Sequence, residues 1–472
     1  MHGDARYANN LGQALTTIDG LRADVTVDYL HNSGLSSTNP PVDYTLRAGV
    51  ALANAYYDYG LGDGFGAYVG AGLGMAYYEI SDGGGSPDPT GTGVTGVGAV
   101  MAGVSYDLGS AVADLGYRDG NNGNRLVLGQ SAAFSGPAAQ LGIQFNVGAQ
   151  LYFDLLNQQG GVSGQRVEIV KLDDGYEPDR CAENTRQLLG KDAFALFGYI
   201  GTPTSLAALP LALQASTPFI APFTGAMGLR QPFNKLVFHL RASYNDETAL
   251  IVRQLTNLGL NKIAVFHQND SYGKAGLDGV VAALASRNLK PVATATVERN
   301  SVDVAAAVAT INASTPDAVV QISAYKSCAA YIRAAKAAGY GGTFYNVSFV
   351  GTQALADELG KDGAGVVVSQ VVPNPFSSTR PISREFQDTI AKGGNKVQPN
   401  FSSMEGYMAA RMVTEGIRRA GGRVTRDSLV SGLEAIGDMS LGGFNLSLSS
   451  SDHVASSFAE LSMLTGDGKV RT

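Results

Sequence analysis

The chain has 472 residues, 16 % of them charged and 44 % hydrophobic, a folding composition on a length that exceeds one ordinary core. A net charge of −7 gives no electrostatic basis for nucleic-acid binding. Cys181, Cys328 and five scattered histidines lack metal-ligand spacing, and the two thiols are expected to be inert and unpaired, in different halves of the fold. No run of about 18 apolar residues exists, so no transmembrane helix is predicted. Residues 1–20 show no basic segment followed by an apolar core, so no signal peptide is visible there.

Composition shifts near residue 120. Residues 1–120 hold 23 glycines, no lysine, 4 arginines and 13 acidic residues, a charge of −9 that leaves +2 for the remainder. That asymmetry argues for domains of different origin. The first part reads as antiparallel β. Along 21–31, Leu21, Ala23, Val25, Val27 and Tyr29 share one face, and Arg22, Asp24, Thr26 and Asp28 the other. Further runs at 44–59, 65–80, 94–108 and 111–118 make five strands, with tight turns at 60–64 and at Gly109-Ser110. Gly70, Gly72 and Gly74 fall inside a strand and form no nucleotide loop. With AYYDYGLGDGFGAYVGAGLGMAYYEI and GVSYDLGSAVADLGYRDG, residues 20–120 resemble porin-like or OmpA-like outer-membrane β-barrels, which implies outer-membrane association. Five strands cannot close such a barrel, whose smallest members use about eight. The expectation is an incomplete barrel-like domain over 1–120, with a soluble glycine-rich meander as the alternative.

After a linker at 121–124, the period changes. A strand at 125–130, a helix at 140–159, a strand at 166–172, a helix at 178–189 and a strand at 194–197 alternate as in a doubly wound parallel sheet. Thr202-Pro203 then opens a helix, with Thr202 as N-cap and Pro203 at the first helical position. A helix start at a strand's carboxyl end favours an anion. The next strand, 218–221, ends in Thr224-Gly225, so two adjacent strand ends, each with a hydroxyl and a glycine, suit a small carboxylate. From Phe238 the chain crosses to a second alternation that runs from a helix capped near Asp246 to a strand at 344–347. A strand at 365–372, helices at 401–420 and 426–436, and a hairpin turn at Gly466-Asp467-Gly468 complete the pattern. No Walker loop, nucleophile elbow or histidine beside a nucleophile is present, so neither an enzyme nor a cofactor is expected.

The segments LGQSAAFSGPAAQLG, NQQGGVSGQRVEIVKLDDGYEPDRC, ALFGYIGTPTSLAALP, IAPFTGA, FHLRASYNDE, IAVFHQNDSYGKAG, PDAVVQISAYKSCAAYIRAAKAAG, NVSFVG and EGYMAARM resemble type I periplasmic binding proteins of the leucine/isoleucine/valine group. The resemblance spans 125–472 and implies an α/β fold of two Rossmann-like lobes joined by three crossings. It divides into 125–241 plus 373–447 and 242–372 plus 448–472. It also implies a periplasmic receptor that closes on a branched-chain amino acid or similar small carboxylate and delivers it to an inner-membrane ABC permease. Ligand contacts carried over to this sequence are Thr202, Thr204, Ser205 and Thr224 for the carboxylate, with the Phe223 carbonyl, then Tyr272 and Tyr325 from the other lobe, and Leu141, Ser348 and Phe349 along the cleft. Amino-acid binders of the group carry an acidic residue for the ligand ammonium at the position of Ser348. Its absence leaves Asp270 or Asp174 as substitutes, or a ligand that is not an amino acid.

Overall fold

The structure, a computed structural model, describes residues 11–18, 21–38, 41–62, 65–82, 91–107, 112–119 and 125–472 apart from 395–396 and 422–423. The linker expected at 121–124 and the Gly109-Ser110 turn lie outside these. The chain divides into Met1–Arg125 and Leu126–Thr472.

The first unit is an antiparallel meander of β1 (Leu11–Ile18), β2 (Leu21–Thr38), β3 (Pro41–Gly62), β4 (Phe65–Asp82), β5 (Gly91–Asp107) and β6 (Val112–Asp119), paired in chain order. Six strands stand where five were expected. β1, LGQALTTI, has polar residues on both faces, so it shows no clean alternation; its ladder to β2, from Leu11↔Val27 to Ile18↔Leu21, makes it a strand. Among the described residues β1 and β6 each pair on one side only, so the sheet is not closed. Its faces differ sharply. Leu52, Asn54, Tyr56, Ala76, Ala99 and Met101 are buried on one. The alternate positions, among them Val25, Tyr57, Val69 (61 % exposed), Leu73 (77 %), Met75 and Val100, form an apolar, exposed face.

The second unit begins with β7 (Arg125–Ala132), α1 (Ala139–Gln158), β8 (Arg166–Asp173), α2 (Pro178–Gly190), β9 (Ala195–Phe197), α3 (Thr202–Gln214), β10 (Phe219–Ile220) and β11 (Val237–Phe238). These strands form one sheet in the order β11-β10-β9-β7-β8. The chain then crosses to α4 (Tyr244–Asn257), β12 (Ile263–Gln268), α5 (Ser271–Ala285), β13 (Thr294–Val297), α6 (Ala305–Ala313), β14 (Ala318–Ile322), α7 (Tyr325–Ala337), β15 (Thr343–Asn346), α8 (Thr352–Leu359) and β16 (Val367–Gln370). It returns through α9 (Pro381–Lys392), α10 (Phe401–Ala420), α11 (Arg426–Glu434) and the hairpin β17 (Gly437–Leu441) and β18 (Phe444–Leu448), and ends with β19 (Glu460–Leu464) and β20 (Val470–Arg471). The second sheet runs β13-β12-β14-β15-β16-β19-β20, parallel as far as β16. This is the α/β fold of two lobes. Two crossing segments lie side by side, joined by His239 N donating to His453 O (2.8 Å) and Ala455 N to His239 O (2.8 Å). α4 is capped by Ser243 rather than Asp246. Ser243 Oγ accepts from Asp246 N, and the Asp246 carboxylate accepts from Ser243 N, so Asp246 is the far half of a capping box. Cys181 and Cys328 are both free and buried.

α10 returns to the first lobe by lying against α1 at a crossing only glycine permits. A Cβ on Gly148 would fall 1.8 Å from the Ser403 carbonyl oxygen, and one on Gly406 would fall 2.0 Å from that of Phe145. Gly148→Ala is therefore expected to cost about 1 kcal/mol net, because overpacking between two backbones (about 1–3 kcal/mol) exceeds the gain in helix propensity (about 1 kcal/mol). Denaturant unfolding measures this against Gly190→Ala, where nothing lies within 4 Å of the added Cβ. Equal midpoints for the two variants would refute it.

Candidate functional site

The carboxyl ends of the parallel strands supply the candidate side chains, the edge at which open α/β sheets bind ligands. β8 leads to Asp174 and Tyr176, β9 to Thr202, β10 to Phe223 and Thr224, β12 to Tyr272, β14 to Tyr325, and β15 to Ser348 and Phe349.

In the first lobe the expected cap is displaced. Gly201, not Thr202, is the N-cap of α3. It has φ +95°, and a Cβ there would fall 2.2 Å from the Tyr176 ring, so both backbone and space require glycine. Thr202 Oγ1, released from capping, lies 2.7 Å from Thr224 Oγ1. Thr224 Oγ1 also accepts from Ala226 N (3.2 Å) and lies 3.3 Å from the Tyr244 hydroxyl. Two hydroxyls from neighbouring strand ends thus meet at the positive end of a 13-residue helix. Thr204 turns away from them: its Oγ1 donates back to Ile200 O and Gly201 O. The Phe223 carbonyl accepts from Gly201 N (3.3 Å). Ser205 Oγ is buried with no partner among the described residues.

Aromatic rings bring the lobes together. The Phe349 ring lies 4.5 Å from Tyr272, 5.7 Å from Phe223 and 5.9 Å from Tyr176, centroid to centroid. The Tyr272 hydroxyl is buried without a partner among the described residues, and burial holds its pKa well above the ordinary phenol value. Tyr325 departs from this group: among the described residues its ring makes no contact with Phe349, and its phenol lies near the backbone of Gln140 at the start of α1. Leu141 packs on Gly351, the residue before α8. The rim is closed by Arg299 Nη2–Glu177 Oε2 (3.0 Å), by Asn300 Nδ2 donating to Gly175 O (3.1 Å), and by Gln268 Nε2 donating to the Tyr176 hydroxyl (3.3 Å). A hollow of about 570 Å³ beside Tyr152, Glu385 and Arg411 lies elsewhere, against α1, α9 and α10.

Ser348 sits at the centre of a buried charge cluster. Its Oγ accepts from Arg241 Nη2 (2.7 Å) and donates to Glu247 Oε1 (3.1 Å), while its backbone N donates to Glu247 Oε2 (2.8 Å). Ser369 Oγ adds a further bond to Glu247. Arg241 makes a two-pronged pair with Glu405, Nε to Oε1 at 3.0 Å and Nη2 to Oε2 at 3.2 Å, and its guanidinium lies 4.3 Å over the Phe223 ring. Arg230 donates to Thr224 O, Ala226 O, Arg241 O and Ala242 O, tying the hydroxyl loop to the crossing segment. The proposed substitutes for an acidic residue 348 are both engaged. Asp174 accepts from Ser131 Oγ and Tyr176 N, and Asp270 caps α5 and accepts from Gln268 and Arg299.

The profile of the family described as periplasmic binding protein matches residues 126–468. The chain belongs to the type I periplasmic binding proteins. Among relatives, it is 24 % identical to Leu/Ile/Val-binding protein homolog 7 of Brucella suis biovar 1 over 317 residues, which is 63 % of this chain and 78 % of that one. A possible leucine/isoleucine/valine-binding protein from Rhodopirellula baltica SH 1 superposes with a TM-score of 0.70 at 34 % identity, over 74 % of this chain and 96 % of that one. A branched chain amino acid ABC transporter protein from Thermus thermophilus with bound valine shares the fold, with a TM-score of 0.67 at 18 % identity over 73 % and 94 %. Periplasmic binding proteins are substrate-binding receptors, which places this one outside the cytoplasm, and no described helix is long and apolar enough to cross a membrane. None of these matches extends the outer-membrane barrel resemblance to the first unit.

Sequence reasoning missed Arg241, Glu247 and Glu405. The signal was a charge on an apolar helix face: Glu405 shares its face with Phe401, Met408 and Met412, and Glu247 with Tyr244 and Ile251, all buried. Burial pushes the Glu405 carboxyl up to about 7 despite the opposing pull of Arg241. The folded state then holds this proton more tightly than the unfolded chain, whose glutamate titrates near 4.5. Its contribution to stability is complete below about pH 4.5 and is lost as pH rises through about 7. Glu405→Gln should therefore flatten the fall in melting temperature between those values, and parallel wild-type and variant profiles would contradict this.

Proposed function

We propose that this receptor serves an ABC importer, binding a branched-chain amino acid or similar small carboxylate between its lobes and presenting it to an inner-membrane permease. The lobes comprise 125–241 with 373–447, and 242–372 with 448–472. The observation that carries the reading is the Thr202–Thr224 hydroxyl pair at the start of α3, 2.7 Å apart and buried. Hydroxyl donors at a helix N-terminus suit a carboxylate. Phe349, Tyr272, Phe223 and Leu141 offer apolar cover for a side chain. The relatives named for leucine, isoleucine and valine support the same class.

A ligand that binds only the folded state must raise its melting temperature. A panel of amino acids and small carboxylates is expected to give a shift with at least one. Thr224→Ala should weaken that ligand about tenfold by calorimetry, the scale of one hydrogen bond to a charged group, with an unchanged far-ultraviolet spectrum. Undiminished affinity would remove Thr224 from the site.

A second reading concerns the first unit and rests on its exposed apolar face. Strands that alternate with the apolar residues outward suit lipid contact, so this unit associates the receptor with an outer membrane. The full chain should then float with phospholipid vesicles, and Leu73→Lys should weaken flotation. A chain that stays in the aqueous fraction would sink this reading and leave the receptor reading intact.

A further inference from the structure

Arg241 has a use that its ion pair does not exhaust. Nη2 bonds Glu405 and Ser348, and Nε lies 3.0 Å from Glu405 Oε1 without hydrogen-bonding geometry, whereas Nη1 has neither a hydrogen bond nor an ion-pair oxygen among the described residues, although the side chain is fully buried. A buried guanidinium N–H without an acceptor is costly. The guanidinium lies over Phe223, the residue preceding Thr224, and Phe223 packs on Phe349, which packs on Tyr272. Three other buried groups at these strand ends lack partners, the hydroxyls of Tyr272, Ser205 and Ser323. All of them can donate, and the hydroxyls can also accept.

The nearby carboxylates are occupied. Both oxygens of Glu247 accept from Ser348, one of them also from Ser369, and both oxygens of Glu405 face Arg241. Asp174 and Asp270 are bonded as described above. Partnerless acceptors do occur at Gln321 Oε1, Asn346 Oδ1 and, on the rim, Asn300 Oδ1, but these are neutral amide oxygens whose own Nε2 or Nδ2 bond Cys328 O, Val367 O and Gly175 O. No carboxylate is free at these strand ends, and the charged group without a full set of partners is the Arg241 guanidinium; the unpartnered hydroxyls and amide oxygens are neutral. Two arginines and two glutamates leave the cluster neutral when both carboxyls are ionised and positive once Glu405 takes up its proton as pH falls through about 7. A ligand ammonium placed there would face a cation and no free carboxylate. A carboxylate flanked by a second acceptor would meet partners.

We propose that Arg241 Nη1 is a ligand-binding donor and that the cleft selects 2-oxo carboxylates over the matching 2-amino acids. This rests on the receptor reading and narrows its ligand class. The test is calorimetry on the full wild-type chain with three matched pairs: leucine, phenylalanine and alanine, each against its 2-oxo analogue. At least one oxo acid should bind ten-fold or more tighter than its amino partner. Arg241→Lys, which keeps the charge against Glu405 but loses the planar fork, should abolish that preference where circular dichroism shows it folded. An amino acid binding as well as its oxo analogue would overturn this proposal and leave the receptor reading standing. Silence from all six would overturn this proposal too, and the receptor reading would then be decided by the wider panel of amino acids and carboxylates.

Discussion

Arg241 brings a permanent charge into a part of the molecule with no solvent exposure, and the lobes are arranged around satisfying it. Dehydrating a guanidinium costs several kcal/mol unless it is paired and hydrogen-bonded. Its partners come from far apart in the chain: Glu405 on α10, 164 residues away, and Ser348 after β15, 107 residues away. Each can reach the guanidinium only if α10 lies on the first lobe and the 348–350 turn closes over the crossing segment. Gly148 and Gly406 permit the first condition by letting two helix backbones approach. Glu247 enforces the second by holding Ser348 through both backbone and side chain. A buried ion pair is a weak source of net stability, since apolar replacements often do as well. What it supplies here is position, because a planar fork with fixed donors leaves one N–H aimed away from its partners.

The lobes were legible in the sequence because their physics is local. Short apolar runs at regular intervals, separated by amphipathic stretches, allow little but parallel strands and covering helices. The hydroxyl pair was legible for the same reason: Thr202 and Thr224 each stand just past such a run. The capping role was misassigned because Thr-Pro is a strong start signal, and only the fold reveals that the Tyr176 ring and a positive φ reserve the cap for Gly201. Tyr325 looked equivalent to Tyr272, since both follow strands of the second sheet. Which one joins Phe349 and which lies near α1 depends on the order of strands in the sheet, where β14 stands between β12 and β15. Glu247 and Glu405 were hidden more deeply. A glutamate on a helix is ordinarily solvated, and its meaning here lies in a contact made across more than a hundred residues.

The two units also differ in what their alternation means. In the second unit, apolar positions point into cores that the chain itself completes. In the first, the exposed face is itself apolar: Leu73, Val69 and Met75 face outward, opposite a buried face that holds Leu52, Tyr56 and Met101 together with Asn54. A period of two states that a strand has two unlike faces, but not which face meets water. That distinction could not be read from the sequence; it requires the ladder of six strands and the exposure of each face.

The same limit of local reading applies to the ligand. A serine at position 348 looks like the loss of an acidic partner, and by itself suggests only a weaker version of an amino-acid site. In the fold, Ser348 is the link between a cation and an anion, accepting from Arg241 and donating to Glu247. An acidic side chain there would set a third carboxylate against Glu247 and Glu405, with only the two guanidiniums of Arg230 and Arg241 to offset all three. The charge arithmetic therefore makes a small neutral hydroxyl the residue this cluster requires. Ser348 spends its hydroxyl on Arg241 and Glu247, so in the proposed ligand site the group left to meet a ligand at that end is Arg241 Nη1.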